Sequence, residues 1–391
     1  MNQTAEKLQD ETPNRSERKR PLGLVLSGGG SRAAYQAGAL KALCSYLEKE
    51  ESGIEVIVGS SIGAVNALVV GATLKGGIRH ACEILEKLWL ERTFKNSFAG
   101  SPSRTFLRSV KITLLKYAIN PEPSRSKDAI FDPSPLIKRI DEIISQHGGL
   151  SPESRDPSLK SLAVMTTIEG PQRKPLLFVS SKQKISKAML VGASFDVRHV
   201  DELTAKHGFA SAALPTVLPP VSLNIDGGTV TFVDGGISQN VPVDPAVRLG
   251  GERVIILDIS GRAWWFDKYG EPHDKRPDWE VPAEIGTFCL KPPKVLKIRN
   301  GTPFGPLLKE AVGKTTRDFI GALGATWPVY TLLKQKLGEE LAYEVMSYVA
   351  LHPEYARALI EAGYNETMSL LKDKEFLPFR TMKKEDLVNG D

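Results

Sequence analysis

The stretch from Gly23 to Leu40, GLVLSGGGSRAAYQAGAL, runs an apolar strand into three consecutive glycines and then into a helix of small residues that opens with Arg32. Glycines at a strand-to-helix turn let main-chain N–H groups approach a negative charge, because no Cβ stands in the way and the helix N-terminus is itself positive. The charge is either a bound phosphate or an oxygen that turns negative only during a reaction. Gly28-x-Gly30-x-x-Ala33 fits the relaxed dinucleotide fingerprint, but that fingerprint needs an acid at the end of the second strand to hold a ribose. The second strand, Ile54 to Val58, ends in Gly59-Ser60-Ser61 instead. A P-loop is also excluded: Gly313-Lys314-Thr315 has the right ending, but Leu308 stands where the first glycine must be.

Gly59-Ser60-Ser61-Ile62-Gly63 matches G-x-S-x-G, and its central Ser61 follows a strand and opens a helix. A nucleophile elbow needs that context: the sharp turn pushes the hydroxyl out of the sheet, and small flanking residues tolerate the strain. A plain glycine-flanked turn gives the same pentapeptide, so a base and an oxyanion site must complete the case. The amides of Gly28, Gly29, Gly30 and Ser31 can supply the oxyanion site, with Arg32 adding fixed positive charge or lying on the surface of its helix. Successive parallel strands present their C-terminal turns on one edge of a sheet, which brings the turn at Gly28 and the turn at Ser61 to one crevice.

For the base, none of the six histidines (His80, His147, His199, His207, His273, His352) sits in a convincing strand-end context in the sequence. Two aspartates are better placed. Asp234-Gly235-Gly236 closes the strand Thr229 to Val233, where a carboxylate followed by two glycines reaches a hydroxyl unobstructed. Asp226-Gly227-Gly228 sits at the tip of the hairpin VSLNIDGGTVTFV, where Asp-Gly serves the turn itself.

Together these motifs resemble the patatin-like phospholipase family. The glycine loop with Arg32, the GSSIG elbow, FDPSPL (131 to 136), ASAALPTVLPPV (210 to 221) and DGGISQNVPV (234 to 243) follow in that family's order, over roughly residues 22 to 260. Ala33 departs from the final glycine the family often has in its loop. The resemblance implies a Ser61–Asp234 dyad without histidine, cleaving acyl esters of glycerophospholipids or other lipids through an acyl-enzyme. It implies neither cofactor nor metal, and no His/Cys/acid group in the sequence has ligand spacing. Two alternatives stay open: an α/β-hydrolase esterase whose triad His273 or His352 would complete, and a non-catalytic lipid-binding protein on the same fold.

The β-turn-α-β-turn-α order predicts a three-layer α/β fold with a mainly parallel central sheet. Residues 1 to 20 read as a polar disordered tail without a secretory signal, 21 to 262 as the catalytic domain with a possible lid at 96 to 135, and 263 to 391 as a mostly helical C-terminal extension. The uncharged run Val56 to Leu74 has the length of a membrane span, yet its Gly59, Ser60, Ser61, Gly63 and Asn66 read as a buried strand turning into a buried helix. AMLVGAS (188 to 194) reads as a strand.

Three cysteines in 391 residues, Cys44, Cys82 and Cys289, make no disulfide framework and fit a reducing, cytoplasmic compartment, with Cys44 on the apolar side of its helix. The net charge of +5 suits an anionic membrane surface without a block of cations for nucleic acid. Phe106 to Ile119, with interleaved Arg and Lys, and Trp264-Trp265-Phe266 are the candidate contacts with a peripheral membrane surface. The sequence leaves the oligomeric state open, a homodimer included.

Overall fold

The computed structural model describes residues 18–100, 105–110, 129–260 and 293–382. Its centre is one mixed sheet of strands β1 (Leu22–Leu26), β2 (Ile54–Ser60), β3 (Ser161–Ile168), β4 (Pro175–Ser181), β5 (Asp196–His199), β6 (Val221–Ile225), β7 (Gly228–Val233), β8 (Arg253–Asp258), β9 (Lys294–Arg299) and β10 (Arg380–Thr381). The main path is β10-β9-β8-β1-β2-β3-β4-β5, with the β6–β7 hairpin attached to the end of β3. From β9 to β3 every pairing is parallel. β4 and β7 both run antiparallel to β3, and the short β10 runs antiparallel to β9.

β1, β2 and β8 are buried at every position, as continuous Val/Ile/Leu runs are when both faces of a parallel sheet are covered. Side chains alternate between two cores. Leu22, Leu24 and Leu26 enter the larger core and Val25 the smaller one on the opposite face. The larger core is roofed by α1 (Ala34–Leu47), α2 (Ile62–Thr73), α3 (Ile78–Leu90), α4 (Ser134–Gln146) and α5 (Ala205–Ser211). On the smaller face lies α6 (Val243–Arg248). The uncharged run at 56 to 74 is thus the end of β2 and the whole of α2, in which every residue is buried. Among the described residues no helix is long and apolar enough to cross a membrane.

The C-terminal region is mostly helical, as expected, and it also adds strands to the central sheet. β9 and β10 complete the central sheet, and five helices follow: α7 (Phe304–Val312), α8 (Thr316–Leu323), α9 (Trp327–Leu337), α10 (Glu339–Met346) and α11 (Pro353–Leu370). The first of these helices starts at Phe304. α11 lies against α1 at backbone distance: a Cβ at Gly38 would stand 1.9 Å from the Ile360 carbonyl oxygen, and one at Gly363 would stand 2.2 Å from that of Tyr35.

Other differences are local. AMLVGAS forms a 3₁₀ turn (Lys187–Leu190) and loop, and the strand comes later, at Asp196–His199. Gly192 there has φ +71°, which an extended strand does not accept. α3 ends at Leu90, and a single helical turn at Phe94–Ser97 follows. His207 lies in α5. Cys44 is buried as expected, its Sγ 3.0 Å from that of Cys82. The N-terminal tail to residue 17, residues 111 to 128 of the suggested lid, Trp264-Trp265-Phe266, His273 and Cys289 lie outside the described residues.

Candidate active site

Two adjacent turns at the C-terminal ends of β1 and β2 build the site. At the second, Ser61 has φ +52° and ψ −133°, a conformation that side chains other than glycine rarely adopt. The flanking glycines make the turn sterically possible: a Cβ at Gly59 would lie 2.5 Å from the Ala64 Cα, and one at Gly63 would lie 2.3 Å from the Leu26 carbonyl oxygen. The Ser61 N–H donates to the Ser211 hydroxyl at 2.7 Å, and that hydroxyl donates in turn to the Met165 carbonyl. Ser211 comes from the Ala/Ser/Pro-rich segment and holds the turn through the amide of Ser61. In the sequence, only a small polar residue among alanines marks that position.

The Ser61 hydroxyl donates to Asp234 Oδ2 at 2.7 Å, and Asp234 Oδ1 accepts from the Gly236 N–H at 2.7 Å. Asp234 is 4% exposed and Ser61 8%. Burial pushes the Asp234 carboxyl up to about 6, against the two hydrogen bonds from Ser61 and Gly236, which favour the charged form. Asp226 stays at the hairpin tip at φ +50°, paired with Arg198. The two aspartates that the sequence left in competition are thereby separated.

The glycine loop is more selective than its sequence suggests. The Gly28 N–H donates to the Asn240 carbonyl at 3.1 Å, and the Ser31 N–H donates to the Tyr348 carbonyl at 2.7 Å. Among the described residues the amides of Gly29 and Gly30 have no acceptor, and both residues line the cavity that holds Ser61. Of the four expected oxyanion amides, two are therefore engaged elsewhere and two are available. Gly28 matters sterically instead, since a Cβ there would stand 2.7 Å from that of Ser61 and 2.3 Å from Asn240 Oδ1. Asn240, the asparagine of DGGISQN, thus sets the spacing between the loop and the elbow.

Arg32 corrects both of its expected placements. It neither lies on the surface nor faces Ser61, but is 2% exposed and points into the C-terminal helices. Its guanidinium donates to the Glu344 carboxylate and carbonyl at 2.7 Å each, to the Ser347 hydroxyl at 2.7 Å and to the Ser260 carbonyl at 3.3 Å. The Tyr348 ring lies 3.7 Å from its centre. A second buried network joins the loop to the elbow helix. Trp89 Nε1 donates to Asn66, Asn66 donates to Gln36, and Gln36 donates to the Ser27 carbonyl.

A family model described as patatin-like phospholipase matches residues 24–247, more than half of the chain. The chain belongs to the patatin-like phospholipase family. Among solved structures it is similar to VipD from Legionella pneumophila, at 12% identity and a TM-score of 0.35, over 94% of this chain and 68% of that one. Human GIVD cytosolic phospholipase A2 follows at 11% identity and 0.38, over 93% of this chain and 64% of that one. The type III effector protein ExoU of Pseudomonas aeruginosa matches at 13% identity and 0.30, over 89% of this chain and 53% of that one. The chain thus spans about two thirds of the length of the first two and about half of ExoU. No curated protein sequence matches it.

In this patatin-like chain, Ser61, Asp234, Gly29 and Gly30 share a cavity of about 620 Å³ whose wall is largely apolar. Phe98 and Phe131 stack within it, 4.4 Å between ring centres. Val345, Met346 and Val349 form its far side, so the C-terminal helices complete the cavity. Among the described residues no histidine lines it. His80 and His147 face each other at 3.2 Å, His207 caps its own helix from Thr204, and His352 caps α11. The triad arrangement has no support from His352. Among the described residues no group of three or more His, Cys, Asp or Glu is placed to hold a metal ion.

Proposed function

We propose that this chain is a lipid acyl hydrolase of phospholipase A or lysophospholipase type, working through Ser61 and Asp234. The observation that carries the reading is the 2.7 Å hydrogen bond from the Ser61 hydroxyl to a buried carboxylate, at a strained elbow in an apolar cavity. Family membership supports the lipid ester as substrate. The cavity volume falls within the ~300–1,000 Å³ of typical ligand sites.

Ser61 Oγ attacks the ester carbonyl carbon while its proton passes to Asp234 Oδ2. The carbonyl oxygen becomes negative within reach of the free Gly29 and Gly30 amides, where one such donor is worth about 3 kcal/mol of barrier. Collapse expels the glycerol oxygen, which takes the proton back from Asp234. Water then attacks the acyl-Ser61 carbonyl, gives its proton to Asp234 and releases the fatty acid, with the proton returning to Ser61. The raised pKa of Asp234 makes it a better base than an exposed aspartate, while leaving it ionised at neutral pH. Leu107, 65% exposed, and Trp327, 38% exposed and stacked on Phe106, support contact with a lipid surface.

The test is product analysis by mass spectrometry on mixed phospholipids, with labelling by a fluorophosphonate. We expect fatty acid and lysolipid from the wild type, label on Ser61, and turnover abolished in Ser61→Ala and Asp234→Asn. Undiminished turnover in both variants would remove the dyad.

A further inference from the structure

The cavity wall contains a charge that the acyl-transfer chemistry does not use. Arg92 follows α3, is 8% exposed and lines the same cavity as Ser61. Among the described residues its guanidinium makes no hydrogen bond and no ion pair, and its Nε is sealed from solvent without an acceptor. Its guanidinium lies 4.4 Å from the centre of the Trp89 ring. The neighbouring carboxylate, Glu91, is held by Lys87 and Arg139 instead.

The chain treats its other deeply buried arginines differently. Arg32 is bound by Glu344, Arg248 by Asp244, Arg253 by Glu50, and Arg155 by the Ser180 carbonyl. Burying a cation is costly unless something compensates it. Burial pulls Arg92 down to about 10, so it stays protonated at neutral pH, and no carboxylate offsets that burial. A bare cation persists in an apolar wall when the ligand brings the counter-charge, and the flat guanidinium fork suits an anion with two equivalent oxygens. Two lipid groups have that chemistry: the phosphodiester of a headgroup and the carboxylate of a released fatty acid. The phosphodiester is the stronger candidate, because Arg92 and the acyl-transfer groups share one cavity, and an intact substrate must fill it before any product exists.

We propose that Arg92 is a specificity-determining residue that binds the phosphodiester of a glycerophospholipid whose acyl ester lies at Ser61, so that the site selects phospholipids over uncharged acylglycerols. The assignment rests on the lipid acyl hydrolase reading, and the experiment separates the two.

The purified full chain is compared with Arg92→Met, Arg92→Lys and, as a control, Lys95→Met, which alters an exposed cation close by. Rates are measured on lysophosphatidylcholine and on the monoacylglycerol of the same acyl chain. We expect the ratio of kcat/KM between the two lipids to fall at least tenfold in Arg92→Met, chiefly through KM for the phospholipid. Arg92→Lys should retain part of the ratio and Lys95→Met all of it. A ratio within twofold of wild type in Arg92→Met, in protein that melts no lower than wild type, overturns the proposal. So does relief of fatty-acid product inhibition with the ratio unmoved, which would assign the cation to the product carboxylate. A Ser61→Ala background read by titration calorimetry covers the case of no turnover. Arg92-dependent preference for lysophosphatidylcholine would then uphold the anchor while the hydrolase reading fails; equal binding of both lipids would overturn the anchor as well.

Discussion

Asp234→Asn should stabilise the fold while removing activity, and the gain should depend on pH. The carboxyl is 4% exposed and its pKa is raised from the ordinary 3.8 to about 6 by burial. The folded state therefore favours the neutral carboxyl. That preference is fully present below pH 3.8 and is lost as pH rises through about 6, where the buried group must ionise. Integrating over these values, ionisation costs wild type less than about 1 kcal/mol at pH 4, about 2 at pH 5 and about 3 at pH 7. Asparagine escapes this cost. Its oxygen can still accept from the Gly236 N–H and its amide can donate to Ser61 Oγ, so both hydrogen bonds survive with one reversed. Denaturant unfolding of both proteins at pH 4, 5, 6 and 7 should show a gap that opens across the series towards about 3 kcal/mol, or about 3–4 °C in Tm for a chain of this size. A gap that is flat with pH, or a variant less stable than wild type at pH 7, would refute the view of Asp234 as a desolvated carboxylate.

Three further outcomes follow from the same geometry. The rate with a soluble ester should fall tenfold per pH unit below about 6, because the base must be ionised, and this limb should vanish in no variant that keeps Asp234 buried. Ser211→Ala leaves the Ser61 amide and the Met165 carbonyl without their shared partner; it should cost about 1–3 kcal/mol of stability and lower kcat more than it raises KM, read by steady-state kinetics and urea unfolding. Gly38→Leu forces a side chain into the α1–α11 contact and should cost on the order of 3 kcal/mol, measured by thermal unfolding, with unchanged kcat per folded molecule at low temperature.

The elbow, the glycine loop and Asp234 were legible because each depends on backbone geometry that only particular residues permit. A strand followed by Gly-x-Ser-x-Gly states a steric constraint in letters, and Gly59 and Gly63 answer it within ångströms of Ala64 and Leu26. Residues whose meaning depends on a distant partner were not legible. Arg32 lies 312 residues from Glu344, and nothing around SGGGSR distinguishes a buried cation from a helical surface one. Arg92, in LERTF, has the same ambiguity at a helix end. β9, KVLKIR, is not legible as a strand because Lys297 interrupts its short apolar run, and that lysine is paired with Asp258 on the adjacent strand. The loop amides read as four equivalent donors because a sequence does not show which main-chain groups neighbouring segments have already claimed.

Glu344 lies almost a hundred residues past the matched family region, yet it neutralises the cation that directly follows the Gly29–Gly30 turn. A shortened protein ending before it would keep every hallmark motif and still strand that guanidinium beneath the catalytic floor. In this chain the matched segment, residues 24–247, is therefore a poor guide to where the fold can be cut. The minimum unit is set by a carboxylate that no motif search would retain.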